Sequence, residues 1–469
     1  MAHRALKQIL EPYHSCLRIV KPLSPAICLT IRRARAFITR MEILLALPAL
    51  VKVGLALVLV LVLNRFRIQL GYGLLAAGVL LSLLMGRGAG DIAMGVVRSL
   101  LDAQTISLIV IVAVILALSR IMAESGQLER IVESFGGLIR SVRVVSLVMP
   151  ALIGLLPMPG GALFSAPMVE TACRHADAGA EVKTAINYWF RHIWEYWWPL
   201  YPGVVLAVSL LGVQAGKYML LLAPLTLVSL GAGVVFLMPF VSQTPQVAEA
   251  AANSRRTTFS DFRREVRPIT FLVLSLPAVK VFEWVIGRTL PPLTSVFVGL
   301  AVCLALVIRQ NRMPAQKVVR AAFHKTVLPM LLLVIGIMVF KGLLVESQAI
   351  TAIRDELVQY NIPPLAAILI LPFICGFITG IAVGFVGASF PLVIPLLAGK
   401  TGLDYMAHAG LAYTFGYMGM MVSPVHLCFL VTKDFFSASM LKSYKYIIGP
   451  VALTLIGASV WFVVIQLLV

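Results

Sequence analysis

The chain has 469 residues, 60% of them hydrophobic and 13% charged, with a mean hydropathy of +0.96 and a formal charge of +19. A charged share this far below the roughly 25% of soluble domains excludes an ordinary water-soluble enzyme or binding module. The basic excess excludes a nucleic-acid face as well, because the cations cluster in loops between apolar runs instead of alternating with aromatics.

Residues 1–40 stand apart, with eight basic residues (Arg4, Lys7, Arg18, Lys21, Arg32, Arg33, Arg35, Arg40) against the single Glu11 and no spanning apolar run. This basic N-terminal extension fits a cytosolic tail, an organellar presequence, or a start assigned too early, with Met41 in place of Met1 as initiator. Apolar runs then follow at about 43–63, 68–85, 104–119, 218–241, 268–287, 292–308, 326–341 and 446–468. Each approaches the ~20 residues that cross a bilayer as helix. Between them, 144–213 and 363–432 are apolar but rich in Gly and Pro. The expected fold is all-α: a polytopic membrane protein of about ten transmembrane helices plus two re-entrant hairpins. Its expected parts are N-terminal transmembrane helices (41–104), a first transport repeat (105–241), a cytoplasmic loop with connecting transmembrane helices (242–325) and a second repeat (326–469).

With Met41 outside, segments 64–67, 120–143, 174–183, 242–267, 309–325 and 433–445 fall inside and hold 21 Lys and Arg, as the positive-inside rule requires. Placing 1–40 outside would put eight cations on the wrong face, which favours Met41 as the start.

An internal match runs through these halves. ILALSRIMAESGQLERIVESF at 115–135 aligns with IGIMVFKGLLVESQAITAIRDEL at 335–357, so that Glu124-Ser125 falls on Glu346-Ser347 at an offset of 222. GGALFSAPMVE at 160–170 aligns with GASFPLVIPL at 387–396, Pro202 with Pro424, and YMLLLAP at 218–224 with YKYIIGP at 444–450. Segment 120–143 carries four Arg and 342–362 only Arg354, so the two copies are expected to be inverted. Inverted copies with interrupted helices point to a secondary transporter whose site lies where the interruptions meet.

In LPMPGGALFSAP (156–167), Pro157, Pro159, Gly160 and Gly161 break the helix, and backbone freed in a membrane must be buried in protein or line a cavity. A hairpin tip at Gly160 and Gly161 is expected to lead into a half-helix bearing Ser165, whose N-terminus would hold an anion. The mirror element, GFITGIAVGFVGASFP (376–391), is expected to place Gly384, Gly387 and Ser389 at its tip. Close helix packing through small residues is the alternative there.

The stretch NYWFRHIWEYWWPLYPG (187–203) puts Arg191, His192 and Glu195 about 10–17 Å along a helix from Thr184, well inside a hydrocarbon core of about 30 Å. Ionisable groups at that depth face a partner or a cavity. Arg191 and Glu195, four apart, would share a face as a structural ion pair. Alternatively, Arg191 binds a substrate carboxylate while His192 or Glu195 takes a coupling proton. Pro199 and Pro202 are expected to unwind the helix and expose carbonyls able to coordinate Na⁺. The tryptophans Trp189, Trp194, Trp197 and Trp198 read as an interfacial belt. The C-terminal counterpart, AYTFGYMGMMVSPVHLC (412–428), keeps the break at Ser423-Pro424 without an Arg and adds His426. Lys280 and Glu283 read as a structural pair, and Lys52 as snorkelling.

Enzyme signatures such as H-E-x-x-H, G-x-S-x-G and G-x-x-x-x-G-K-[ST] are absent from the sequence, and the expectation is a non-enzyme. Cysteines 16, 28, 173, 303, 375 and 428 have no C-x-x-C or metal-ligand spacing, so they read as packing residues, with no metal and no cofactor beyond a coupling Na⁺ or H⁺.

Over about 105–451, the Ser-x-Pro hairpins and Pro-broken helices resemble the ion-transporter superfamily of secondary carriers. LPMPGGALFSAPMVE and RHIWEYWWPLYPG look most similar to an uncharacterised bacterial and archaeal membrane family within it. The resemblance implies two hairpins meeting two broken helices, an elevator-like domain moving against a scaffold by alternating access, a homodimer, and Na⁺- or H⁺-coupled movement of an organic anion across the inner membrane of a prokaryote. The Ser-Asn-Thr signature of the dicarboxylate branch is absent from both tips. The expected function is transport of a small organic anion, a carboxylate, bound by Gly160, Gly161, Ser165, Arg191, Gly387, Ser389 and Ser423, with His192, Glu195 and His426 coupling the ion. A cation/proton antiporter using Glu195 and His192, and an intramembrane enzyme or non-transporting scaffold, are the alternatives.

Overall fold

The computed structural model describes residues 45–66, 68–136, 141–157, 161–173, 178–241, 259–325, 327–361 and 363–469, and all regular structure among them is helical. Among the described residues, five helices are long and apolar enough to cross a membrane: Ala103–Glu124, Ala215–Phe240, Phe259–Ile286, Val327–Glu346 and Met440–Gln466. Their outward faces present Leu220, Leu227, Trp284 and Leu441 to the surroundings. Such faces are at home against lipid, and the chain is an integral membrane protein.

Helices α1 (Ala49–Arg65) and α2 (Leu70–Leu84) pack together, and α3 (Ala89–Leu101) follows. The next elements are α4 (Ala103–Glu124), α5 (Gln127–Gly136), α6 (Val142–Gly154), α7 (Ala162–Ala172), α8 (Ala180–Arg191) and α9 (Pro202–Leu211). Then come α10 (Ala215–Leu222), α11 (Pro224–Leu237), the pair α12 (Phe259–Ile286) and α13 (Thr294–Gln310), and α14 (Ala315–Ala322). The remainder is α15 (Val327–Glu346), α16 (Ala349–Gln359), α17 (Pro364–Thr379), α18 (Ala382–Leu396), α19 (Gly402–Met421), α20 (Leu427–Phe435) and α21 (Met440–Gln466). Local chemistry sets several boundaries. The Asp102 carboxylate caps α4 by accepting the Thr105 amide at 3.3 Å, and prolines open α9, α11 and α17, where a missing N–H costs nothing.

The element order of α4–α9 recurs in α15–α20. Helices α5, α6 and α8 start at 127, 142 and 180, and α16, α17 and α19 start at 349, 364 and 402, each 222 residues later. The ends of α4 and α15 also match: Ser125 and Ser347 each donate to the carbonyl three residues back, and the next residues, Gly126 and Gln348, both take left-handed φ of 67° and 58°. Packing is exchanged between the halves, since α7 packs on α20 and α18 packs on α9. The described parts of the eight expected apolar runs lie mainly on helices. Helices α12 and α21 begin earlier than their apolar runs because Arg263, Arg264 and Arg267, and Lys442 and Lys445, continue the helix beyond its apolar part. The paired Lys280 and Glu283 side chains meet at 2.5 Å, as the spacing suggests, and Lys52 Nζ donates to the Leu45 carbonyl at 2.8 Å.

Two expectations need correction. The chain between α17 and α18 turns at Gly380, whose φ of 63° suits glycine, and not at Gly384–Ser389. Gly387 and Ser389 lie inside α18: a Cβ on Gly387 would come 2.3 Å from Ile337 Cγ1, so this glycine admits α15, and the Ser389 hydroxyl donates to the Phe385 carbonyl of its own helix at 2.6 Å. Close packing, the alternative weighed for the glycine run, is what this helix does. The tryptophans are not an interfacial belt either. Trp189 and Trp198 are buried, and all four indoles are tied inward: Trp189 to Ser229 O (2.9 Å), Trp194 to Ala151 O (2.7 Å), Trp197 to Thr226 Oγ1 (2.9 Å) and Trp198 to Leu155 O (2.8 Å).

Candidate functional site

Helix α8 stops at Arg191, and the chain runs through turns from His192 to Tyr201 before Pro202 starts α9. Pro199 cannot end α8 there, since proline disturbs the carbonyl four residues back, which is that of Glu195. Tertiary bonds hold the earlier break instead. Tyr417 donates to the His192 carbonyl and Tyr413 to the Glu195 carbonyl at 2.8 Å, both from α19. The second break, Val422–His426, is held the opposite way, with Tyr188 of α8 donating to the Met421 carbonyl at 3.1 Å. The first unwound segment and the helix end that borders the second therefore each have a carbonyl capped by the other half, which satisfies those buried acceptors.

The breaks lie against each other. The rings of His192 and His426 are 4.9 Å apart and nearly perpendicular, and Tyr188 stacks edge-on against both. Arg191 is 2% exposed and its Nη1 donates to Cys428 Sγ at 3.4 Å. The ion-pair contact of Glu195 is to His192 Nε2, at 3.8 Å, and not to Arg191. In place of the close i,i+4 contact anticipated from spacing, Arg191 and Glu195 attract each other over a longer distance, because α8 ends before Glu195. The His192 Nδ1 meets the Tyr188 carbonyl, so Nδ1 carries the proton and the Nε2 lone pair faces Glu195.

Helices α6 and α7 pack against α8 beside the break. Gly154, at the end of α6, abuts the break so closely that a Cβ there would lie 1.9 Å from the Arg191 carbonyl oxygen. Gly161 caps the start of α7, and Asn187 Nδ2 bridges the Ala162 carbonyl (3.2 Å) and Thr432 Oγ1 (3.1 Å) of α20. Ser165 is committed to its own helix, its amide to Gly161 O at 3.4 Å and its hydroxyl to Ala162 O at 3.3 Å. Pro157 ends the chain leaving α6, while Pro159 and Gly160 lie outside the described residues. Ser423 is fully buried beside Pro424, its hydroxyl accepting the Val425 amide at 3.3 Å.

The structure thus brings Arg191, His192, Glu195 and His426 together and leaves Gly387 and Ser389 in helix packing. Sequence reading missed Cys428, Asn187, Tyr188, Tyr413 and Tyr417. Cys428, taken as a packing residue, stands with His192 and His426 as a group able to hold a metal ion. Intramembrane polarity was the available signal for Asn187, but the tyrosines and the cysteine become visible only once the halves are assembled.

No curated protein matches the chain. Among solved structures, the YdaH transporter of Alcanivorax borkumensis is 13% identical to it, with a TM-score of 0.44 over 79% of this chain and 86% of that one. The model of a family described as "Protein of unknown function (DUF401)" matches residues 46–465. The chain is a member of the DUF401 family.

Proposed function

We propose that the protein is a secondary active transporter of a small organic anion, a carboxylate, and that it works by alternating access with coupling to H⁺ or Na⁺. The observation that carries this reading is the pair of facing helix breaks with Arg191, His192, Glu195 and His426 buried between them. Buried ionisable groups at unwound backbone mark a solute or ion path. The offset of 222 between matching helices and the exchanged packing of α7 on α20 and α18 on α9 support two inverted repeats, with α6–α7 and α17–α18 as re-entrant hairpins. The resemblance to ion-transporter carriers adds an elevator-like motion against a scaffold, a homodimer and the inner membrane of a prokaryote.

In this mechanism the Arg191 guanidinium exchanges its bond to Cys428 Sγ for a bidentate grip on the carboxylate. The Glu195 carboxylate and the Nε2 lone pair of His192 are two acceptors 3.8 Å apart, a geometry that takes up one proton or cation between them. Uptake of labelled carboxylates into proteoliposomes tests the reading. Arg191→Gln is expected to abolish uptake, and Glu195→Gln to retain exchange while losing dependence on the driving ion. Uptake that survives Arg191→Gln but is lost in Glu195→Gln refutes anion carriage in favour of cation/proton antiport, and a released chemical product without uptake refutes transport altogether.

A further inference from the structure

Between the two breaks lies a donor set that shares His192 with the proposed transport site and adds His426 and Cys428, to which that mechanism gives no ligand role. A ring nitrogen of His192, a ring nitrogen of His426 and Cys428 Sγ all lie within 4.8 Å of one another. The first comes from one break, the second from the opposite break and Cys428 from the first turn of α20 that follows it, so only the assembled fold creates the set. Atoms bound to one ion at about 2.0–2.3 Å stand less than about 4.6 Å apart, so a small side-chain rotation closes the group around an ion.

Each donor has a lone pair to give. His192 has spent its Nδ1–H on the Tyr188 carbonyl and keeps Nε2. His426 is 5% exposed, and its Nδ1 has no hydrogen-bond partner among the described residues, a costly state for a buried imidazole nitrogen unless a ligand takes it up. Cys428 Sγ takes one N–H from Arg191 and has further lone pairs free.

We propose that His192, His426 and Cys428 bind a soft monovalent metal ion, copper(I). One sulfur and two imidazoles suit copper(I) and zinc(II) alike, and exclude the hard cations that demand oxygen. Charge decides between the two. The ion displaces the Cys428 thiol proton to solvent and forms an S–metal bond, with no change of oxidation state. A monovalent ion leaves the net charge of the pocket as it was, whatever the protonation of Glu195. A divalent ion adds a full positive charge beside Arg191, 2% exposed in a low-dielectric interior. The inference does not require the transport reading, and where both hold, copper(I) on His192 Nε2 competes with the proton or cation taken up there.

The full chain, purified in detergent under anaerobic, reducing conditions, is titrated with copper(I) against a chromophoric copper(I) chelator. The expected result is one ion per chain, with X-ray absorption of the loaded wild-type protein reporting one sulfur and two imidazole nitrogens on the metal. Cys428→Ser and His426→Gln are each expected to weaken binding at least about 100-fold, while Cys303→Ser, a buried cysteine of α13, leaves it unchanged. No copper(I) retained by the wild type, zinc(II) held in preference, or an absorption spectrum without the sulfur and the nitrogen pair overturns the proposal, and these wild-type measurements stand even if a variant misfolds.

Discussion

Replacing Tyr413 by phenylalanine removes a single oxygen from the middle of the molecule. The ring is fully buried, edge-on to Phe385 at 5.3 Å and Phe390 at 6.3 Å, and these contacts survive in the variant. What is lost is the 2.8 Å bond to the Glu195 carbonyl, an acceptor that the break has already deprived of a helical partner. Leaving one buried polar group unsatisfied costs about 1–3 kcal/mol. Because every 1.4 kcal/mol is tenfold in an equilibrium, opening of the 192–201 segment should become about 5- to 150-fold more frequent. Amide hydrogen exchange in a membrane mimetic reads this directly at Glu195, Trp197 and Trp198, whose amides are bonded within the turns. Exchange in α12 and α13, which lie elsewhere in the fold, is expected to stay as in the parent. Protection at 192–201 that is unchanged within twofold, or a loss spread evenly over the chain, would refute the argument that tyrosines of one half hold open the break in the other.

Gly154→Ala pushes a methyl group to 1.9 Å from the Arg191 carbonyl oxygen, so α6 or the end of α8 must shift at an overpacking cost of about 1–3 kcal/mol, read as a lower midpoint of thermal unfolding together with loss of uptake. Ser389→Ala is expected to leave solute affinity unchanged, because its hydroxyl serves its own helix, whereas Gly387→Ala lowers thermal stability through its collision with Ile337. Restoration of that stability by Ile337→Ala in the double variant checks the cause.

Much of the helical layout follows from apolar runs, since a bilayer demands ~20 apolar residues and leaves few other solutions. The breaks were legible for the same reason: Pro202 and Pro424 cannot sit inside an unbroken membrane helix at no cost, and both lie at or beside one. Their extent was not, because the first break starts at His192 through bonds from Tyr413 and Tyr417, more than 200 residues away in the chain. The tryptophans were misplaced because an indole N–H is equally at ease at a headgroup or on a buried carbonyl, and only the carbonyls of Ala151, Leu155 and Ser229 decide between them. Cys428 and His426 looked unremarkable in sequence because His192, which completes their group, lies on the other half of the chain.

The indoles have an optical consequence. Four of the six tryptophans sit at or in the 189–198 stretch, while of the other two Trp461 is tethered to the Leu221 carbonyl and Trp284 is 82% exposed. Four of the six indoles whose ultraviolet emission is read therefore sit in the last turn of α8 or in the unwound stretch that follows it. Once Trp284 is silenced by phenylalanine, a change in colour or brightness registers rearrangement at the heart of the molecule without any attached dye.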